Sequence, residues 1–199
     1  DALALFGNVG RHRGLSSSGV LAAEPALARD GLLGGASYWD AATDDAAITL
    51  ANVLDARTAG AVVLNHAALQ ALLVHLDRVT GASVRDEIAG DTFPVTARVV
   101  VNATGPWTDA IRRMEDPFAP SAVLGTKGVH IAVPADRIAN RAAVTMLSPV
   151  DGRVMFCLPG AGQTIIGTTD THTDARPDAV RANRDDVRYL LDSANWFFP

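Results

Sequence analysis

The sequence predicts an α/β fold of the α+β kind, built around a partly parallel sheet, and three observations carry that expectation. ITLANVLDARTAGA shows a helical apolar period and runs into the short apolar stretch AVVLNH. VVVNATGPWTDAI, Val99 to Ile111, reads as a buried strand entering a tight glycine-bearing turn and then a helix. From Thr126 onward the pattern changes to KGVHIAVP, AAVTMLSP, GRVMFCLPG and QTIIGTTD, short strands broken by Pro, Gly or Asp. Such runs predict an antiparallel sheet, here closed by the polar helix RDDVRYLLDSANWFF.

In chain order, Ser16 or Ser17 is placed to cap a short helix over VLAAEPAL, which Pro25 interrupts, and Asp30-Gly31 marks a turn. GGASYWD reads as a short strand. Asp44 and Asp45 supply an acidic helix start, Ile48, Leu50, Val53 and Leu54 an apolar face, and Gly60 a stop. AVVLNH, LLVHLDRVTG, SVRDEI and ARVVVNATG form four strand-like runs, with VTGA and AGDT as hairpin candidates.

Composition limits the functions available. The chain has 199 residues and a net charge of -5, and its 17 Lys and Arg residues are scattered, which argues against a nucleic-acid groove. The single cysteine, Cys157 in VMFCLPG, excludes an internal disulfide framework and a Cys-rich metal site; filling the core is its expected role. His12, His66, His75 and His172 lack metal-ligand spacing, so no metal is expected. Without an apolar run of about 18 residues or a signal-like start, a cytoplasmic setting is the default expectation. Neither DALALFGNVG nor NWFFP looks like a natural terminus, so the chain is expected to be a piece of a larger protein.

The turn Asn102-Ala103-Thr104-Gly105-Pro106 between strand and helix presents backbone N–H groups and small side chains to a phosphate or a ring, although an ordinary strand-to-helix turn would look the same. Its wider context is more specific. LSSSGVLAAEPALARDGLLGGASYWDAATDDAAITL, GAVVLNHAAL, RVVVNATGPWTDAI, TKGVHIAVP, DGRVMFCLPG and TIIGTTDTHTD follow one another in the order and spacing of flavin-dependent glycerol-3-phosphate dehydrogenases of the aerobic type. The resemblance covers essentially the whole chain, and NATGPW, KGVH and IIGTTDT are its most specific parts.

That resemblance implies part of a doubly wound FAD/NAD(P)-binding domain together with an antiparallel-sheet substrate domain of the D-amino-acid-oxidase-like type. It implies the central portion of such an enzyme, since the GxGxxG turn that holds the FAD pyrophosphate and the family's C-terminal domain have no counterpart here. The expected organisation is a substrate-domain segment with a linking helix over residues 1–60, a partial FAD-binding domain with a β-meander over 61–115, and the substrate sheet over 116–199.

By resemblance, Leu69 lies where backbone meets the adenine end of FAD, and Ala103, Thr104, Gly105 and Trp107 form the flavin-side turn. Lys127 and His130 lie on a strand near flavin and substrate. Substrate contacts fall to Lys127, Arg153, Thr168 and Thr169, and catalytic roles to Arg153 and His130. A guanidinium offers a planar fork of donors to a phosphate or a developing alkoxide, and an imidazole suits a general base near neutral pH. A packed or surface histidine, a surface arginine in a turn and a strand-end cap at Thr168-Thr169 are the plainer readings of the same residues. Ala47 stands where the family carries an arginine, which leaves that contact open.

The function implied is oxidation of sn-glycerol 3-phosphate to dihydroxyacetone phosphate by hydride transfer to FAD, with a quinone as acceptor. Peripheral association with the inner face of the cytoplasmic membrane and homo-oligomer formation belong to the same set of expectations. An amine or amino-acid oxidase of the same fold and a non-catalytic binding module are the alternatives, and an isolated piece of this kind is expected to be inactive.

Overall fold

The computed structural model describes residue 7 and residues 9–199, which form two compact units. The first combines the residues up to Ala41 with Gly125–Pro199, and the second spans Ala42–Leu124. These divisions fall after residues 41 and 124, whereas the sequence suggested 60 and 115.

The first unit is built on an antiparallel sheet. Strand β1 (Arg13–Ser16) pairs with β2 (Gly34–Ser37), and helix α1 (Ser17–Ala23) lies between them in sequence. Ser16 caps α1 by accepting the Gly19 N–H at 3.2 Å, the role its residue type predicts. Further along come β6 (Thr126–Lys127), β7 (His130–Pro134), helix α4 (Ala135–Ile138), β8 (Val144–Leu147), β9 (Val154–Gly160), β10 (Gln163–Gly167), β11 (Thr171–His172) and helix α5 (Arg184–Phe197). The main sheet has the order β7-β10-β9-β8, and β6 pairs with β11 apart from it. Helix α3 (Thr108–Glu115) and α2 (Asp45–Thr58) belong to the second unit with β3 (Ala67–His75), β4 (Arg78–Asp86) and β5 (Thr92–Thr96).

The period of two in each strand of the main sheet decides which face is buried. Met155 and Cys157 on β9, Met146 on β8 and Ile166 on β10 point inward and pack with Leu190, Ala194 and Phe198 at the α5 end. Met155, Cys157 and Leu190 are fully buried. Each large apolar side chain so buried stabilises the unit by about 1.5–3 kcal/mol. The inward-facing polar groups are satisfied: Thr164 donates to Asn140, whose amide donates to the Cys157 carbonyl at 3.1 Å. Burial pushes the Cys157 thiol up to about 11, as suits a core-filling residue.

A buried carboxylate ties α1 to the sheet. Glu24 accepts the N–H of Arg141 at 2.9 Å and of Ala142 at 2.6 Å. The Ala28 N–H donates to the Phe197 carbonyl at 2.7 Å, and the Tyr38 hydroxyl lies 3.1 Å from that of Thr145.

The second unit is a meander, β3-β4-β5, with α2 before it and α3 after it. Asp44 caps α2 by accepting the Ala47 N–H at 2.9 Å, and the helix ends just before Gly60, as its sequence predicts. The Ala-Gly-Asp-Thr hairpin is present between β4 and β5. VTGA is not a turn, because those residues lie inside β4. The β3–β4 reversal is made by Leu76 and Asp77, both at positive φ, and Leu-Asp is not one of the Asn-Gly or Asp-Gly pairs that mark such a turn in sequence.

The partly parallel sheet is also corrected. Every strand pair among the described residues is antiparallel, and neither 61–66 nor Val99–Val101 is a strand. Val99 and Val101 are 73% and 80% exposed. The apolar face of α2 is likewise in solvent, with Ile48, Leu50 and Leu54 about half exposed. A β-branched run favours extended backbone, but a ladder also needs a neighbouring strand, and none lies beside these residues among those described.

Candidate functional site

One end of the main sheet gathers the polar groups that could act on a ligand. His130 begins β7 and is paired with Gly167, the last residue of β10, which is paired on its other side with Phe156 of β9. Cross-strand partners share a face, so His130, Gly167 and Phe156 form one row on the outer side of the sheet. The imidazole lies over Gly167: a Cβ placed there would sit 2.0 Å from His130 Cδ2. Glycine at 167 is therefore what lets the Cδ2 edge of the ring approach the strand end. His130 is exposed, and the outer face beside it is apolar, with Phe156, Leu158 and Ile165 each about 40% exposed.

Arg153 precedes β9 and reaches toward the same end. Its Nε forms an ion pair with Asp151 at 3.1 Å, and Nη1 donates to the carbonyl of Asp170, three residues beyond Gly167. Nη2 has no protein partner among the described residues, so this guanidinium, held on two sides, keeps donors for an anion or a polarised oxygen.

Thr168 and Thr169 fill the gap between Gly167 and Asp170. Thr169 is buried; its hydroxyl donates to the Lys127 carbonyl at 3.3 Å and accepts the Val129 N–H at 2.9 Å. That hydroxyl clamps two backbone segments together and leaves no proton for a substrate. Thr168 is half-buried and donates to the Thr169 carbonyl at 2.9 Å, keeping only lone pairs to offer.

Lys127 turns inward. Its ammonium is buried against Asp186 at 2.5 Å and near the Arg181 carbonyl at 3.4 Å. Asp186 also accepts the Asn183 N–H at 2.8 Å, while Asn183 accepts from Asp185 and Asp186, which makes a capping box at the start of α5. Burial works to raise the Asp186 carboxyl, but Lys127 and the Asn183 N–H outweigh it and hold the carboxyl below its ordinary value. Lys127 joins β6 to α5 in this structure, and a role for its ammonium on a substrate phosphate is not supported by its position.

In the second unit, Leu69 is half-buried on β3, an edge strand of the meander, next to a register shift between Leu69 and Ala71. An edge strand has backbone groups free of ladder bonds. Asn102 shapes the turn that follows Val101: its Nδ2 donates to the Thr108 carbonyl at 3.1 Å, and its Oδ1 accepts the Thr104 hydroxyl at 2.8 Å. Gly105 takes φ 55, and a Cβ there would meet nothing within 4 Å. A backbone in the left-handed region, bare of side chain and open on that side, accommodates the close approach of a flat ring. Ala103 and Trp107 are exposed beside it. The residues present thus fit the flavin-side part of an FAD site.

Among the described residues no group of His, Cys, Asp and Glu is arranged to hold a metal ion. Two participants carry no signal of their role in the sequence: Asp151, and Tyr189, whose hydroxyl donates to Asp151 at 2.9 Å. Asp186 does carry one, since Asn183-x-x-Asp186 is a capping-box spacing.

A family model described as FAD dependent oxidoreductase matches residues 2–199. The chain belongs to that family. Within the FAD dependent oxidoreductases it is 35% identical over 204 residues to aerobic glycerol-3-phosphate dehydrogenase of Staphylococcus saprophyticus, covering 100% of this chain and 36% of that protein. It is 39% identical to glycerol-3-phosphate dehydrogenase 2 of Mycobacterium tuberculosis, covering 98% of this chain and 33% of that protein. The chain therefore spans about a third of the length of these curated relatives.

Among solved structures, the glycerol-3-phosphate dehydrogenase of Bacillus halodurans complexed with FAD matches with a TM-score of 0.86 and 35% identity, over 94% of this chain and 38% of that one. Glycine oxidase of Bacillus cereus matches at a TM-score of 0.65 and 20% identity, a likeness of fold alone. The α/β fold class of the D-amino-acid-oxidase type read from the sequence agrees with both.

Proposed function

We propose that this chain belongs to a flavoenzyme that oxidises sn-glycerol 3-phosphate to dihydroxyacetone phosphate, and that it supplies two of the substrate-side groups, Arg153 and His130. The observation that carries the reading is Arg153, fixed by Asp151 and the Asp170 carbonyl with Nη2 unpartnered among the described residues, at the sheet end where His130 lies exposed over Gly167. The glycerol-3-phosphate dehydrogenases of similar sequence support it.

FAD, when bound, supplies the two-electron acceptor for the hydride that leaves C2. Arg153 directs Nη2 donors to the substrate oxygen and steadies negative charge growing there. His130 takes the proton of the C2 hydroxyl on an imidazole nitrogen, and its seat against Gly167 limits the orientations of the ring. The apolar outer face formed by Phe156, Leu158 and Ile165 excludes water from one side of the reacting carbon. In the second unit, Ala103, Thr104, Gly105 and Trp107 would hold the flavin ring, and the edge backbone at Leu69 would meet the adenine end. The same reading takes a quinone at the inner face of the cytoplasmic membrane as the final electron acceptor; no helix among the described residues is long and apolar enough to cross a bilayer.

The test is an anaerobic absorbance spectrum of the flavin-bearing protein that carries this chain, before and after addition of glycerol 3-phosphate. Bleaching of the oxidised flavin band is expected, together with a loss of at least 100-fold in the bleaching rate for Arg153→Ala, comparable to removal of one oxyanion donor. A band that glycerol 3-phosphate leaves unchanged and glycine bleaches refutes the reading in favour of an amino-acid oxidase.

A further inference from the structure

We infer that Tyr189 and Asp151 are positioning residues for Arg153, so that helix α5 sets the aim of the substrate-binding guanidinium without touching the substrate. The inference rests on the glycerol 3-phosphate reading above and extends it to residues that no motif singled out.

Arg153 sits at the end of a tight turn, 148–153. The turn is closed by its own backbone: the Ser148 N–H donates to the Arg153 carbonyl and the Gly152 N–H to the Ser148 carbonyl, both at 2.8 Å. Two side chains one helical turn apart on α5 grip it from the same side. The Ser193 hydroxyl, fully buried, lies 2.9 Å from that of Ser148, which also accepts the Val150 N–H at 3.2 Å. The Tyr189 hydroxyl donates to Asp151 Oδ1 at 2.9 Å.

Asp151 then passes the constraint to Arg153 twice. Oδ1 accepts the Arg153 backbone N–H at 3.2 Å, and Oδ2 pairs with the guanidinium Nε at 3.1 Å. A carboxylate with two free rotors and one cationic neighbour would wander, but the phenol on a packed ring fixes its plane. Tyr189 is half-buried against the core cluster, so packing restrains its ring. Burial raises the Tyr189 phenol, which remains a donor. Asp151 lies below its ordinary value although burial opposes this, because Tyr189 and Arg153 both favour its charged form. Fixing Nε through Asp151 and Nη1 through Asp170 leaves Nη2 with one orientation. A donor held in one direction recognises a substrate oxygen with less loss of side-chain freedom than a mobile one.

The chain of contacts separates aim from packing, which makes it testable. Tyr189→Phe keeps the ring and removes only the donor. In the flavin-bearing protein that carries this chain, affinity for dihydroxyacetone phosphate is measured by calorimetric titration and the unfolding temperature by scanning. Tyr189→Phe is expected to weaken binding about tenfold, 1.4 kcal/mol, with the unfolding temperature little changed. Asp151→Asn, which keeps the shape and loses the charge, is expected to weaken it at least as much. In an Arg153→Ala background Tyr189→Phe is expected to add nothing, the mark of an effect carried wholly by Arg153.

Unchanged affinity in Tyr189→Phe, or an equal loss in the Arg153→Ala background, overturns the inference while the substrate reading stands. If Arg153→Ala itself binds the product as tightly as the unaltered protein, Arg153 is not a ligand and the inference falls. Failure of glycerol 3-phosphate to bleach the flavin of the unaltered protein is a different result, and it removes the substrate reading on which both rest.

Discussion

Replacing Lys127 by methionine leaves a side chain of similar length but removes the ammonium from Asp186. Lys127 and Asp186 are 8% and 4% exposed and 2.5 Å apart, so solvent cannot rehydrate the carboxylate left behind. Breaking a buried pair by removing one partner costs about 3–5 kcal/mol. Lys127→Met is expected to fall in that range, and the loss should concentrate at the start of α5, because Asp186, the third residue of that helix, also closes its capping box. Native-state hydrogen exchange over Arg184–Phe197, with chemical denaturation for the total, measures both.

Two further results are required if the reasoning holds. Adding Asp186→Asn to Lys127→Met removes the orphaned charge and keeps an acceptor for the cap, so the double variant should recover at least half of the loss. The pH dependence should also change sign. In the unaltered protein the Asp186 carboxyl lies below its ordinary value, so its stabilisation is present above the unfolded value near 3.9 and is lost as pH falls through the lower folded value. Without Lys127, burial dominates and raises the carboxyl, and stability should instead decline as pH rises from about 3.9. A loss below about 1 kcal/mol, the range of exposed pairs, would refute the account of Lys127 as a buried structural cation.

Other outcomes follow from single contacts. Glu24→Ala leaves the Arg141 and Ala142 N–H groups without their acceptor and should destabilise the first unit by about 1–3 kcal/mol, read by urea denaturation. Gly167→Ala places a methyl 2.0 Å from the His130 ring; if the proposed function holds, in the flavin-bearing protein that carries this chain flavin content should persist while the rate of flavin reduction by glycerol 3-phosphate falls sharply. If that rate is unchanged, His130 does not act from its seat on Gly167. Cys157, fully buried with its thiol raised to about 11, should resist alkylation at pH 8 and react only after denaturation, as a timed mass-spectrometric labelling series would show.

Much of the architecture was legible in sequence because it depends on near neighbours. Ser16 and Asp44 cap helices whose first free N–H groups lie three residues on, and Gly60 ends α2 by local backbone freedom. The alternation in VMFCLPG and QTIIG marked a half-buried antiparallel sheet, and the inward set Met155, Cys157, Thr164 and Ile166 follows from a period of two. The motifs that suggested a flavin enzyme were also legible, since NATGPW, KGVH and IIGTTDT are continuous segments, and the family match bears that suggestion out.

Whatever depends on a distant partner was decided only in three dimensions. Lys127 and Thr169 looked like substrate ligands because a cation and a hydroxyl bind phosphate, yet Asp186, 59 residues away, and Val129, 40 residues away, take them up. RVVVNA carries every local mark of a buried strand and is exposed, because strand formation needs a neighbour that residue type cannot announce. Arg153 was legible as a cation in a turn, but its aim was not: that depends on Asp151, Asp170 and a tyrosine on α5, brought together by the packing of Leu190 and Ala194 under the sheet. Sequence by itself therefore determines the locally capped helices, the buried face of the main antiparallel sheet and the family. The chemistry each polar side chain remains free to perform is determined by tertiary packing, since a donor or charge is available to a ligand only when no partner from elsewhere in the chain has already met it.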